Sequence, residues 1–336
     1  MDMRRFGLGG LVALALGMGI LPACGDDDDD SEDDGQVVVD AGTDAGGNLD
    51  AGRDGGTTPT TDAGGNPAGD AGSAQTIVAT AVADGRFTTL AKALTDTNLV
   101  ATLQGAGPFT VFAPTDAAFQ ALGQATLGAL TTEQLRTILL YHVIPGELPS
   151  TALKSGPVKT ASELTAFVNV SGSGVKVNDS NVTTANVDAS NGVIHVIDKV
   201  LLPPNIVQAA QLAGGFSTLL SAATRAGLAD TLAAPNANVT VFAPTDAAFA
   251  ALPTGTVEGL SNTQLANVLR YHVVSGRVLS TALTAGPVPT LLTGQNVTVS
   301  LTGGPKINDA NVTAADIATT NGVIHVIDKV LLPSTP

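Results

Sequence analysis

The stretch Thr110-Val-Phe-Ala-Pro-Thr-Asp-Ala-Ala-Phe119 occurs a second time, unchanged, as residues 240–249. Two further stretches repeat at the same spacing of 130 residues. Tyr141-His142-Val143 returns as residues 271–273, and residues 191–203 return as residues 321–333. A repeat of this length is too long for a solenoid unit and contains a complete domain. The sequence therefore predicts two copies of one domain, at residues 75–204 and 205–336.

Local patterns within each copy predict helices first and strands afterwards. Thr131-x-x-Gln134 and Ser261-x-x-Gln264 are capping boxes, each followed by apolar residues at helical spacing. Phe109–Phe112 has the composition of a strand. Asn191-Gly192 predicts a tight turn into a strand that is apolar on both faces. This order favours an α+β fold, with a sheet layer partly covered by helices.

The repeated aspartate at positions 116 and 246 has a structural explanation. Pro114-Thr115-Asp116 predicts the start of a helix, with either Thr115 or Asp116 as the N-cap. A nucleophile elbow, a phosphate-binding glycine loop and paired carboxylates are all missing from the repeated motifs. We therefore expect neither catalysis nor a cofactor.

The first residues of the chain have the pattern of an export signal. Two arginines, Arg4 and Arg5, precede a short apolar run that ends at Leu21-Pro22-Ala23-Cys24. Cys24 is the single cysteine of the protein, which excludes a disulfide framework and a cysteine-based zinc site. The end of the run resembles the lipobox of bacterial lipoproteins. Residues 1–23 are thus predicted to be a signal peptide, with Cys24 lipidated; ordinary signal cleavage is the alternative.

Residues 24–74 contain most of the net charge of the chain. Of the formal net charge of -15, a net -13 lies in residues 25–74, which repeat Asp-Ala-Gly and offer almost nothing to bury. Such a composition predicts a disordered, extended tether. Residues 75–336 have a net charge of only -3. A nearly neutral folded region with no basic cluster argues against nucleic acid as a partner.

The three repeated motifs resemble the conserved motifs of fasciclin (FAS1) domains. The resemblance covers essentially all of residues 75–336, twice and in order. It implies that each copy is a β-wedge or sandwich with flanking helices. It also implies a role in extracellular adhesion or matrix attachment, without catalysis.

The resemblance also indicates candidate binding residues. Receptor contacts in this family have been linked to the Tyr-His motif, here Tyr141-His142 and Tyr271-His272. They have also been linked to an acidic-Ile segment, which only Asp316-Ile317 matches. On the helical pattern, however, the histidines lie on the apolar stripe and favour a core role. The tyrosines lie at its edge, so both packing and contact remain open for them.

His195 and His325 lie within apolar strands and are predicted to be structural. A metal site that joins histidines to Asp198 is not expected, because no histidine pair has helical ligand spacing. Aromatic residues make up 3% of the chain, and Trp is absent. Phe109, Phe167 and the two tyrosines are the rings available for stacking, too few for an aromatic sugar-binding strip. Polysaccharide binding would then depend on Asn, Thr and Ser.

The sequence as a whole predicts an exported lipoprotein at the bacterial cell surface or in the periplasm. Its membrane contact would be the lipid on Cys24. Its tandem domains would act as an adhesion module for a cell-surface or matrix protein. The second hypothesis is a module that binds envelope polysaccharide or exopolysaccharide.

Overall fold

A computed structural model describes residues 75–334 of the chain. The predicted signal peptide (residues 1–23), the predicted tether (residues 24–74) and Cys24 lie outside the described residues. Both repeats belong to one compact unit. We call residues 75–204 domain 1 and residues 205–334 domain 2.

In domain 1, helices come first and strands follow. Its helices are α1 (Ile77–Asp84), α2 (Thr88–Asp96), α3 (Val100–Leu103), α4 (Asp116–Leu122), α5 (Gln124–Ala129) and α6 (Thr132–Tyr141). Its strands are β1 (Phe109–Pro114), β2 (Val143–Pro145), β3 (Gly156–Lys159), β4 (Thr165–Ser171), β5 (Gly174–Val177), β6 (Ser180–Ala189) and β7 (Gly192–Ile197).

Domain 2 repeats this order. Its helices are α7 (Ile206–Ala213), α8 (Ser217–Arg225), α9 (Ala229–Ala233), α10 (Asp246–Ala250) and α11 (Asn262–Tyr271), with a 3₁₀ turn at Ser280–Ala282. Its strands are β8 (Val239–Pro244), β9 (Val273–Ser275), β10 (Gly286–Pro289), β11 (Asn296–Ser300), β12 (Lys306–Ile307), β13 (Ala310–Ala318) and β14 (Gly322–Ile327).

Each domain is built on one mixed, 7-stranded sheet. The strand order is β2-β1-β7-β6-β5-β4-β3 in domain 1, and domain 2 has the same order of equivalent strands. β1 pairs with β7 in parallel, while the remaining neighbours are antiparallel. The register of β6 against β7 shifts between Val182 and Val187. Such bulges bend a strand and increase its twist, so β6 joins two differently oriented halves of the sheet.

The central strand β7 is buried along its whole length because both of its faces are covered. Ile194 and Val196 pack in the cluster formed with the helices. Ile197 packs in a second cluster, with Val168 and Val177 from the other half of the sheet. Burial of each such side chain contributes about 1.5–3 kcal/mol. The prediction of an α+β fold with a strand apolar on both faces is confirmed.

The Asn191-Gly192 turn connects three parts of domain 1. Asn191 Oδ1 accepts a hydrogen bond from the Ile77 backbone N–H at 2.9 Å, and its Nδ2 donates to the carbonyls of Leu103 and Gly105. A Cβ on Gly192 would lie 1.9 Å from the Phe109 carbonyl oxygen, so only glycine allows the close pairing of β7 with β1. Asn321 and Gly322 repeat the arrangement in domain 2.

The helix caps agree with those predicted from the sequence, with one difference. Both predicted capping boxes are present, and Thr115 is the N-cap of α4. Asp116 instead caps the neighbouring helix α2: its carboxylate accepts hydrogen bonds from the backbone N–H groups of Thr88 and Thr89. These bonds hold the pKa of Asp116 below its usual value against the opposing effect of desolvation. Asp246 caps α8 in the same way.

Candidate functional site

The tyrosine of the Tyr-His motif lies in the core of domain 1. Tyr141 ends helix α6 and is 0% exposed. Its hydroxyl donates to the Thr165 carbonyl at 2.9 Å and accepts from Asn178 Nδ2 at 3.0 Å. The phenol therefore fixes α6 to strand β4 and to the turn after β5. Burial raises the pKa of Tyr141, so the phenol stays protonated.

The adjacent histidine connects α6 to the chain after β7. The His142 Nδ1 lies 2.7 Å from the Ile138 carbonyl, and its Nε2 accepts from the Leu201 backbone N–H at 2.9 Å. These partners fix a neutral ring with the proton on Nδ1. Burial lowers the pKa of His142 to about 4, against a smaller opposing effect of the bond to Ile138.

Domain 2 reproduces both arrangements. Tyr271 donates to the Asn296 carbonyl at 3.0 Å and accepts from Asn308 Nδ2 at 3.1 Å. His272 Nδ1 lies 2.8 Å from the Val268 carbonyl, and its Nε2 accepts from the Leu331 backbone N–H. Burial lowers the pKa of His272 to about 4 as well.

The burial of these four side chains agrees with the expected core role of the histidines and places the tyrosines, for which packing and contact were both open, in the core as well. Tyr141, His142, Tyr271 and His272 are at most 6% exposed, and their polar atoms are bonded within their own domains. A partner at the surface does not reach them in this fold. Their role is to join the longest helix of each domain to its sheet.

The histidine in the last strand of each domain, His195 or His325, contacts the loop after the second strand of that domain. The His195 Nε2 lies 2.9 Å from the Leu148 carbonyl, and its Nδ1 accepts from the Asn186 backbone N–H. The ring also stacks on Phe112. His325 does the same in domain 2, with Val278, Asp316 and Phe242. Both histidines lie in the core, and burial lowers the pKa of each.

Asp316 and Ile317, the other candidate binding pair, have separate structural roles. Asp316 has a positive φ of 62° at the bulge in β13, and its carboxylate accepts from the Ser280 backbone N–H and hydroxyl. Ile317 is 4% exposed and packs in the core of domain 2. The Asp316 carboxylate is therefore occupied by its own loop, and Ile317 is a core residue that contributes little to the surface.

The two domains meet through Phe167, which sequence reasoning placed among the rings free to stack. Phe167 is instead 5% exposed and belongs to the same apolar cluster as Phe216 and Ile317 of domain 2. Next to it, the Ala318 backbone N–H donates to Thr165 Oγ1 at 3.0 Å in a buried hydrogen bond. The centre of the contact between the domains is therefore apolar and buried.

Two open clefts border this contact. The larger, about 650 Å³, lies between α4 of domain 1 and α7 of domain 2. The smaller, about 490 Å³, lies between β3–β5 of domain 1 and an apolar wall of domain 2 that includes Ile317. Asn178 and Leu212 line both clefts. We call the two together the junction groove.

Two kinds of feature are missing from residues 75–334. No three His, Asp or Glu side chains of these residues are grouped closely enough to hold a metal ion. None of the helices in this range is long and apolar enough to cross a membrane.

Comparison with known proteins finds the same family in both repeats. Residues 85–203 and 214–333 each match the family described as Fasciclin domain. The chain belongs to the fasciclin family. Its FAS1 pair also matches a solved structure, the FAS1 domain pair of the insect cell adhesion molecule Fasciclin I. That match has a TM-score of 0.51 and 21% identity, and it covers 74% of this chain and 98% of the other.

Relatives of this FAS1 pair occur in bacteria and animals. Protein sll1483 of Synechocystis is 46% identical over 136 residues, which cover 39% of this chain and 76% of that protein. The immunogenic protein MPT70 of Mycobacterium tuberculosis is 38% identical over 150 residues, 41% of this chain and 77% of that protein. Human periostin is 31% identical over 245 residues, 69% of this chain but only 29% of periostin. The similarity therefore concerns the FAS1 domains and not the whole of the larger relative.

Proposed function

We propose that this protein is a non-catalytic adhesion module that works outside the cytoplasm. It would be held to a bacterial membrane by a lipid on Cys24 and present its FAS1 pair to a matrix or cell-surface partner. The observation that carries the proposal is the packed FAS1 pair, whose fold matches a domain pair from an insect cell adhesion molecule. The signal-like residues 1–23 and the acidic residues 24–74 support export and anchoring.

The chemistry of the repeated histidines supports a non-catalytic role. Both ring nitrogens of His142 and His272 are used in hydrogen bonds, and their lowered pKa values keep the rings neutral at physiological pH. A general base needs a free nitrogen within reach of a substrate. These rings instead act as internal cross-links.

Attachment can be measured on the intact protein. Cells that display the full chain are expected to attach to surfaces coated with matrix or envelope material, and cells without it are not. Replacement Cys24→Ser is expected to move the protein from the membrane fraction into the soluble fraction. Equal attachment with and without the protein would refute the adhesion role, and unchanged membrane association would refute the anchor.

A second candidate function, polysaccharide binding, is favoured by the junction groove. Hydroxyl and amide side chains predominate on its polar walls, and these are the groups on which sugar recognition without aromatic rings would depend.

A further inference from the structure

The junction groove has a shape suited to a chain-like ligand. Phe167 lines the smaller of its two clefts, and Asn178 and Leu212 line both. Both clefts are open to solvent, so a polymer can lie along them without an end entering a closed pocket. A compact cofactor would be enclosed far more completely.

The polar groups of the groove match hydroxylated rings. Asn169 and Ser173 line the smaller cleft and Gln211 lines the larger, and all three are exposed. Within the described residues, the carboxamides of Asn169 and Gln211 have no hydrogen-bond partner. Ala213 and Ala314 stand on the domain 2 side of the smaller cleft. Small apolar residues of this kind fit the C–H face of a sugar ring, while amides bond its hydroxyls.

The charge of the groove indicates a sparsely anionic ligand. Lys199 in the larger cleft is already paired with Asp179 at 2.9 Å. Lys176 in the smaller cleft is exposed, and its ammonium has no carboxylate partner within residues 75–334. One unpaired cation is complementary to one carboxylate at a time, which suits a ligand whose carboxylates are well separated. A nucleic acid, with a phosphate on every nucleotide, calls for a cluster of cations.

A peptide ligand fits the groove less well. Peptides that bind beside a sheet commonly add a strand to its edge and use the free backbone N–H groups there. The edge strand that lines the groove is β3, and it contains Pro157, which has no N–H to donate.

We infer that the junction groove binds an acidic polysaccharide, a chain of sugar rings that carry carboxylates at intervals. The inference rests on the proposed extracytoplasmic binding role and names the ligand class for it. Lys176 bonds the carboxylates, and the amides on both domains bond the ring hydroxyls.

The internal repeat supplies a matched control for this assignment. Lys176 pairs with Asn181 across the β5–β6 turn, and Lys306 pairs with Asn311 at the equivalent position of domain 2. Lys306 does not line the groove. Charge reversal changes the net charge equally at the two positions, although Lys306 is half-buried and Lys176 is exposed.

The test is calorimetric titration of the full chain with short oligomers of galacturonic acid. The same oligomers with their carboxylates reduced to alcohols serve as the neutral probe. We expect Lys176→Glu to weaken binding of the acidic oligomers at least about tenfold, whereas Lys306→Glu stays within about twofold of the parent. Gln211→Glu, on the other domain, is also expected to weaken binding. The neutral probe is expected to bind at least about tenfold more weakly than the acidic one.

Three results would overturn the inference: no binding of the acidic oligomers, equal losses in Lys176→Glu and Lys306→Glu, or equal affinity for the acidic and the neutral probe. Thermal unfolding of each variant checks that the fold is intact. Cell attachment, measured with the same variants, separates this inference from the adhesion role. Attachment without oligomer binding overturns the groove alone, and oligomer binding without attachment overturns the adhesion role alone.

Discussion

Domain 1 and domain 2 share their motifs but differ on the faces at which they meet. Phe167 of domain 1 is buried in the contact, while the corresponding residue of domain 2 is Thr298, which is exposed. The correspondence is fixed by a shared hydrogen bond: the carbonyls of Phe167 and Thr298 each accept at 2.7 Å from the N–H of an asparagine, Asn178 or Asn308. The face of domain 2 that corresponds to the contact face of domain 1 therefore has a polar residue at this position.

The reverse comparison gives the same result. Domain 2 contributes Ala318 to the contact and Ala213 to the groove beside it, and their equivalents in domain 1 are Asp188 and Asp84, both exposed. Terminal units of repeat proteins commonly have polar outer faces that prevent further stacking. A few side chains thus distinguish the contact faces of the two domains, although both domains have the same fold.

The largest effect that separates the two domains is expected from Phe167→Ala. Removal of a buried phenylalanine typically costs about 3–5 kcal/mol of stability. Because this ring connects the domains, we also expect them to unfold in two separate steps. The matched control, Thr298→Ala, should change the free energy of unfolding by about 0.5 kcal/mol or less. Chemical unfolding followed by circular dichroism measures both, and equal costs would contradict the proposed asymmetry.

An effect common to both domains is expected from pH. The pKa values of His142 and His272 fall from 6.5 to about 4 on folding, so the unfolded chain binds more protons between these values. The stabilising contribution of the neutral rings is therefore fully present above pH 6.5. As the pH falls toward 4, the free energy of unfolding decreases by about 3 kcal/mol for each histidine.

Carboxylates also titrate at the lower end of this range, so the histidine contribution is isolated by comparison with variants. His142→Gln and His272→Gln are each expected to reduce the pH dependence by a similar amount, because the two rings have equivalent partners. An unchanged pH profile in either variant would show that the ring is not buried as described.

The smallest effect is expected from exchanging the residue at the bulge. Domain 1 has Asn186 and domain 2 has Asp316, and each bonds the backbone N–H and the hydroxyl of a serine, Ser150 or Ser280. A serine hydroxyl donates or accepts as its partner requires. Asn186→Asp and Asp316→Asn should each change stability by about 1 kcal/mol or less. A much larger loss in one domain would show that the charge itself matters there.

Features that depend only on residues close together in the sequence were predictable. The capping boxes, the Asn191-Gly192 turn and the doubly apolar strand β7 follow from short patterns that the structure confirms. The helix cap by Asp116 was assigned to the wrong helix, because α2 lies 28 residues away in the chain and its approach depends on tertiary packing.

The site was less predictable because its residues meet only across the domain boundary. Phe167 was expected to be free because, unlike the core phenylalanines, it does not recur in the second copy. The alignment of Phe167 with Thr298 also requires a one-residue difference in the preceding hairpin, which the motifs do not reveal. A large aromatic residue at a position where the other copy has a small polar one was the available signal.

The Asn191-Gly192 turn also has a consequence for chemical ageing. In an Asn-Gly pair, the glycine nitrogen can attack the asparagine side-chain carbonyl, form a succinimide and release ammonia. Here both ends of the Asn191 side chain are held by hydrogen bonds to Ile77, Leu103 and Gly105, and the residue is 7% exposed. Deamidation would first require this corner of the domain to open. The lifetime of the intact turn is then governed by how often domain 1 opens there.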